Sequence, residues 1–226
     1  MLTARVSWNL KAVVSIHVLR LIMGLVLVRV LYPFLFTITP LLVEVTDRLV
    51  VVILVCLAVR QYHGDWHELG LSLKHVPRHI GQGLAAGMVL LGISLFSERL
   101  YATVLFLTPS QHPLLALVEN SLSWRDLMIP LFLAGLAAPV AEEILYRLFT
   151  FLPLKERWGL WGGAFASAAI FALMHFNAYW LAELIIVGVG LALLYYQTGS
   201  LISSMVAHSF INSAKILMLF FGLPLV

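Results

Sequence analysis

Long apolar stretches alternate along the chain with short segments that carry most of the charged residues. A helix that crosses the roughly 30 Å hydrocarbon core of a bilayer needs about 20 mostly apolar residues. Seven stretches approach or exceed that length. The pattern predicts membrane helices over residues 16–38, 42–59, 80–96, 127–151, 161–176, 179–196 and 201–223.

Two details of this pattern leave the number of crossings open. The second stretch carries Glu44, Asp47 and Arg48 in its first turns, so its prediction is the weakest. Residues 96–107 form a further short apolar segment, so eight crossings are the alternative to seven. In either case the sequence predicts an all-α fold, a polytopic transmembrane helix bundle that forms a single domain over residues 1–226.

The composition excludes most other classes of protein. Hydrophobic residues make up 62% of the chain and charged residues 11%, against about 45–50% and about 25% in soluble domains. The apolar stretches are continuous, which argues against a transmembrane β-barrel with its alternating strands. The formal net charge of +3 comes from dispersed basic residues, so no nucleic-acid partner is expected. Cys56 is the single cysteine, which excludes a disulfide framework.

The basic residues between the stretches predict the orientation of the chain. Cytoplasmic segments of membrane proteins are enriched in Lys and Arg. In a seven-helix topology, the side of the membrane that contains the N-terminus holds more of these basic residues. The N-terminus is therefore expected to be cytoplasmic. That side holds Arg5, Lys11, Arg60, Lys74, Arg78, Lys155 and Arg157. The opposite side holds Arg99 and Arg125, each beside an acid, Glu98 and Asp126.

The fourth stretch contains charged residues at bilayer depth, where each costs about 2.5–3.5 kcal/mol on insertion scales. Glu143 and Arg147 are four residues apart, the spacing and order of a helical ion pair. Glu142 points about 100° away from that pair and has no partner on its own helix. Pro139, three residues earlier, is expected to kink the helix and admit water beside Glu142. The alternative is an ordinary membrane-helix proline.

Two further polar pairs lie in the fifth and seventh stretches. Phe171 and His175 share one helix face, and His208 and Asn212 share another. Counted at 1.5 Å per residue, Glu143, His175 and the His208–Asn212 pair all lie about 10–20 Å from the same membrane side. The spacing therefore predicts that one carboxylate, two imidazoles and one amide meet inside the membrane. Lys215 in the last stretch is expected to pair with an acid, for which Glu183 is a candidate, or to extend its ammonium toward the membrane interface.

Such a group suits hydrolysis. A carboxylate accepts a proton from water, a histidine positions that water, and imidazole and amide N–H groups stabilise an oxyanion. The alternative is that each of these residues only joins helices, because interhelical polar contacts are common and weak. Four such residues on three helices favour the functional interpretation.

Three motifs in these stretches resemble those of a known family. Residues 138–147, APVAEEILYR, resemble its EExxxR motif, residues 171–175 its FxxxH motif, and residues 208–212 its HxxxN motif. Residues 66–71 and 198–201 resemble segments that accompany these motifs. The family is CPBP, the CAAX-processing and bacteriocin-protection intramembrane proteases related to type II CAAX prenyl endopeptidase. One departure is Leu148, where many members have glycine.

The resemblance implies a glutamate-dependent endopeptidase in a prokaryotic cell membrane, with a protease core over about 127–223 and N-terminal helices over 16–96. Glu142 and His175 would activate water, and His208 and Asn212 would form the oxyanion hole. Glu143, Arg147, Pro139 and Phe171 would support the site. A membrane-associated protein or peptide is the expected substrate. No cofactor is expected. Glutamate and histidine could bind zinc, but this alternative is not favoured because an argument for three good ligands is missing.

Two other functions are compatible with the same stretches. A non-catalytic adaptor or bacteriocin-immunity protein would act by binding alone, but an abandoned site would tend to lose part of the Glu/His/His/Asn set. A small transporter would need charges along a path open to both sides, whereas these charges cluster at one depth.

Overall fold

The computed structural model describes residues 2, 5–106 and 117–223 of the protein. These residues form helices joined by loops, with no strand among them, which confirms the predicted all-α membrane bundle. We number the seven long helices in chain order. They are α1 (Leu10–Leu35), α2 (Pro40–Gln61), α3 (Val76–Val104), α4 (residues 124–158), α5 (residues 160–173), α6 (Leu181–Thr198) and α7 (Leu201–Phe220).

Five helical stretches of the described chain are long and apolar enough to cross a membrane. They are Leu10–Leu35, Val76–Val104, Trp124–Leu173, Leu181–Thr198 and Leu201–Phe220. The α2 helix is not among them because it carries Glu44, Asp47, Arg48 and Arg60. The sequence had already marked this stretch as the weakest.

The third helix is longer than predicted, and this removes the eighth crossing. It continues through Val104, so the apolar segment after Phe96 is the last part of α3 rather than a separate helix. Residue 107, at the end of that predicted segment, lies outside the described residues. Glu98 consequently lies inside α3 and is buried, although the sequence had placed it in a loop beside Arg99.

The α4 and α5 helices form a hairpin without a loop. Gly159 alone breaks the helical path, with φ 72° and ψ 177°, a conformation that glycine adopts without steric cost. The hydroxyl of Ser167 in α5 donates a hydrogen bond of 2.7 Å to the carbonyl of Tyr146 in α4. The predicted loop around Lys155 is therefore helical, and the two helices that carry the first two motifs pack side by side.

The α4 helix is not regular along its length. It starts at a capping box in which Ser123 and Asp126 bind each other's backbone N–H groups. Two stretches of wider π-helical turns interrupt it, Leu133–Ala137 and Glu143–Phe151. Such turns lengthen the hydrogen-bonded ring from i→i−4 to i→i−5 and often occur at functional sites.

The N-terminal segment packs against the second of these π-helical stretches. The ring of Trp8 stacks on Phe149 with 5.2 Å between ring centroids, and its indole N–H donates to the Phe149 carbonyl at 2.9 Å. His17 in α1 contacts the Thr150 hydroxyl at 3.0 Å. These contacts place α1 beside the segment of α4 that follows the two glutamates.

Candidate functional site

The two adjacent glutamates of α4 occupy different surroundings. The side chain of Glu143 is fully buried, whereas that of Glu142 is 19% exposed. The carboxylate of Glu143 lies 3.3 Å from the Arg147 guanidinium nitrogen Nε, and the Arg147 side chain is also fully buried. The i, i+4 ion pair predicted from the sequence is therefore present, and it leaves Glu142 on the other side of the helix.

The buried guanidinium of Arg147 is stabilised by charge and by an aromatic face. Its Cζ atom lies 4.9 Å from the centroid of the Phe171 ring, a cation–π distance. No hydrogen bond of normal geometry reaches its nitrogens from the described residues. Glu143 and the ring of Phe171 are therefore the contacts that compensate this charge.

His208 of α7 lies between the two glutamates. Its Nδ1 is 2.9 Å from Oε1 of Glu143, and its Nε2 is 3.7 Å from Oε2 of Glu142. Because a carboxylate only accepts hydrogen bonds, Nδ1 carries the proton in the contact with Glu143. Glu143 thus orients this histidine in addition to pairing with Arg147, a role that the sequence did not suggest.

His175 is held in one ring orientation by its own helix. Its Nδ1 lies 2.8 Å from the backbone carbonyl of Phe171, one turn earlier. A carbonyl is an acceptor, so Nδ1 donates and Nε2 is left with its lone pair. The rings of Phe171 and His175 are in edge contact, 4.6 Å between centroids, which further restricts the imidazole. The FxxxH spacing therefore produces a histidine whose Nε2 is available as an acceptor.

Asn212 satisfies a carbonyl that Pro139 leaves without a donor. In the π-helical stretch the N–H of Ala138 bonds to the carbonyl of Leu133, five residues earlier. The next donor in this register would be residue 139, but proline has no N–H. The carbonyl of Ala134 instead accepts a hydrogen bond of 2.8 Å from the Asn212 side-chain amide. The Asn212 amide thus takes the place of the N–H that Pro139 lacks, while the role of Pro139 in the site stays a prediction.

One cavity of about 900 Å³ brings the four predicted catalytic residues together. Its lining includes Glu142, His175, His208 and Asn212, which come from α4, α5 and α7. Phe171 also lines this cavity, whereas Glu143, Arg147 and Pro139 lie behind its wall. The predicted meeting of these side chains from three helices is thus observed in the bundle.

The cavity also receives charged residues from the first two helices, which sequence reasoning did not assign to the site. Arg20 of α1 binds both carboxylate oxygens of Asp47, at 2.9 and 2.7 Å, and donates to the Tyr146 hydroxyl at 3.0 Å. Tyr146 is one turn after Glu142 on α4, and all four residues line the cavity. Charge inside the first two apolar stretches is the sequence signal that could have identified them.

Lys215 forms ion pairs with Glu183, the acid predicted from the sequence, and with a second acid, Glu98. Its ammonium lies 2.8 Å from Glu183 and 2.9 Å from Glu98. Glu98 was missed because its position in the sequence, beside Arg99, resembled an exposed pair at the end of a helix. The greater length of α3 explains its burial.

The described residues contain no group of three or more His, Cys, Asp or Glu side chains arranged to hold a metal ion. The absence of a metal cofactor remains a prediction.

Fold and site together define a class: a polytopic helical membrane protein with a polar, carboxylate- and histidine-lined cavity inside its bundle. Residues 124–214 match the family model described as Type II CAAX prenyl endopeptidase Rce1-like. This segment contains the three motifs, and the match confirms the resemblance of this part of the chain to the CAAX-type proteases. Protease activity on a membrane-associated protein is what this family indicates. No curated protein and no solved structure matches the chain.

Removing Arg147 is expected to destabilise the bundle, because Glu143 would be left as an uncompensated buried charge. Breaking a buried pair in this way costs about 3–5 kcal/mol. We expect Arg147→Ala to lower the unfolding temperature strongly, as measured by thermal unfolding of the purified protein in detergent. Arg157→Ala is the matched control because Arg157 is exposed, and it should unfold close to the wild type. Equal unfolding temperatures of the two variants would contradict this role of the ion pair.

Proposed function

We propose that the protein is a glutamate-dependent intramembrane endopeptidase that hydrolyses a peptide bond of a membrane-associated protein or peptide. The observation that carries this proposal is the lining of a single cavity by a partly exposed carboxylate, two imidazoles and an amide from three helices. These are the groups that a peptide-bond hydrolysis by activated water requires. The family match favours the same reaction class.

Glu142 is the proposed general base. Of the two adjacent glutamates, Glu142 is the one whose side chain lines the cavity, while Glu143 is bound to Arg147 and His208. The acceptor nitrogen Nε2 of His175 would hold the attacking water as Glu142 takes its proton. Water oxygen then bonds to the scissile carbonyl carbon. When the carbon–nitrogen bond breaks, the proton held by Glu142 passes to the leaving amine.

His208 and Asn212 are the proposed oxyanion hole. One N–H of the Asn212 amide binds the Ala134 carbonyl, which leaves its second N–H to donate to an oxyanion. Donation from Nε2 of His208 requires a doubly protonated ring. The carboxylates of Glu142 and Glu143 lie on either side of the ring, and the charge of such an imidazolium would offset that of the oxyanion.

Replacing Glu142 with glutamine is expected to abolish proteolysis without unfolding the protein, because the amide cannot accept the proton of water. The measurement compares new protein termini in membranes that contain the wild type or Glu142→Gln at equal abundance. Termini found only with the wild type would support proteolysis and identify the cleaved bond. Glu68→Gln, an exposed glutamate outside the cavity, is the matched control and should resemble the wild type.

Two outcomes of this comparison would overturn the proposal. Full cleavage by Glu142→Gln would exclude this residue as the base. Wild-type termini that match those of native-host membranes lacking the protein would show no cleavage and would favour a protein that acts by binding, such as an adaptor or immunity factor.

We further propose that water activation needs no metal ion. Cleavage of the identified substrate should then be unchanged after treatment of the purified protein with a strong chelator, because the described residues supply no three-ligand site. Activity that is lost on chelation and restored by zinc would contradict this part of the mechanism. A metal-dependent peptidase assayed in parallel verifies that the chelator is effective.

A further inference from the structure

A second group of charged side chains lies in the same cavity, further along α7. His208, Asn212 and Lys215 follow one another at i, i+4 and i+7, the spacing of a single helix face, and all three line the cavity. Lys215 is seven residues after His208, a rise of about 10 Å along the helix. An extended peptide covers this distance with about two to three residues. Lys215 therefore lies within reach of a substrate bound at the proposed oxyanion hole.

The contacts of Lys215 connect three helices. They involve one oxygen of each of the two neighbouring carboxylates. Its ammonium donates to Oε2 of Glu98 on α3 and to Oε1 of Glu183 on α6. The hydroxyl of Ser94 donates to the same Oε1 of Glu183 at 2.6 Å. These hydrogen bonds use one oxygen of each carboxylate. Glu98 and Glu183 are both buried, 5% and 7% exposed, so they belong to the wall of the cavity rather than to the membrane surface.

The charge of this group is unbalanced. Two carboxylates face one ammonium, which leaves a formal charge of −1 in a buried place where charge is costly to leave uncompensated. The whole cavity has the same sign, because its lining contains six carboxylates and four cationic side chains. They are Glu44, Asp47, Glu98, Glu119, Glu142 and Glu183 against Arg20, Arg29, Arg48 and Lys215.

An independent feature of the same wall is the hydroxyl of Tyr179. Tyr179 lies in the segment between α5 and α6, is 5% exposed and lines the cavity. Its hydroxyl has no hydrogen bond of normal geometry to the described residues. The carboxylate of Glu98 is a weak hydrogen-bond partner, and that of Glu183 is a further electrostatic neighbour. A buried hydroxyl without such a bond loses the partner that water would provide. A ligand in the cavity would provide one.

We propose that Glu98, Glu183, Lys215 and Tyr179 form a specificity subsite for a cationic group of the substrate, the ammonium of a lysine or the guanidinium of an arginine. This inference rests on the proposed protease function. The cation binds the carboxylate oxygens that Lys215 and Ser94 leave unused, and it offsets the negative charge of the cavity. The basic side chain belongs to a residue about two to three positions from the scissile bond. An acidic side chain at that position is repelled by the two carboxylates.

The test uses the full chain in lipid nanodiscs and a set of lipid-anchored peptides with a randomised central segment, whose cleavage products are identified by mass spectrometry. The wild type is expected to prefer Lys or Arg over Ala by about tenfold at one position two to three residues from the cut, the effect of one charge-assisted hydrogen bond. Glu should be the least favoured residue there. No preference for basic residues at any position would overturn the subsite.

Variants separate a binding role from a structural one. In Glu98→Gln the ratio of kcat/KM for Lys and Ala peptides should fall toward one, mainly through a higher KM for the Lys peptide. A residue that only stabilises the fold would lower cleavage of both peptides by the same factor, and that result would overturn the subsite. Glu68→Gln, the same change at an exposed position, should keep the wild-type ratio. The substrate preference of the wild type tests the subsite even where a variant fails to fold.

The two proposals fail in different ways. Absence of any cleavage by the wild type, or equal cleavage by Glu142→Gln, would contradict the protease function itself. Cleavage that requires Glu142 but is indifferent to peptide charge would contradict only the cationic subsite.

Discussion

The buried ion pair between Glu143 and Arg147 is the interaction on which the rest of the site depends. Both side chains are fully buried, and at that depth neither charge would be tolerated without the other. The same carboxylate binds Nδ1 of His208, so one buried acid joins α4 to α7 and sets the orientation of a cavity-lining histidine. The buried carboxylate of Glu143 therefore stabilises the fold and orients a residue of the site. Glu142 has no comparable ion pair with an arginine.

Departures from regular helix geometry place the remaining groups. Pro139 cannot donate to the Ala134 carbonyl in the π register, and the amide of Asn212 takes the place of the missing N–H. A backbone defect in α4 thereby determines where an amide of α7 points. The second π-helical stretch, Glu143–Phe151, receives Trp8 and His17 from the N-terminal part of the chain. The N-terminal helix thus supports the segment that carries the EExxxR motif, although it lies outside the matched residues 124–214.

Much of this arrangement follows from the sequence, because charge in an apolar stretch is costly and one-turn spacings are local. The ion pair of Glu143 and Arg147 and the shared face of His208 and Asn212 could be predicted for this reason. The contact of His208 with both glutamates could not, since it depends on how two distant helices pack. The burial of Glu98 was missed because the end of α3 is set by tertiary packing. Helix ends are harder to predict than the presence of helices, as the loop-free turn at Gly159 also illustrates.

The different duties of the two adjacent glutamates are the central claim, and one measurement tests it most directly. Cleavage rate per folded molecule is compared for Glu142→Gln and Glu143→Gln, using the substrate found by the termini comparison and the folded fraction of each sample. The account predicts that Glu142→Gln is fully folded and inactive, whereas Glu143→Gln is depleted in folded protein but cleaves measurably per folded molecule. A fully folded, inactive Glu143→Gln beside an active Glu142→Gln would contradict the account and reverse the two roles.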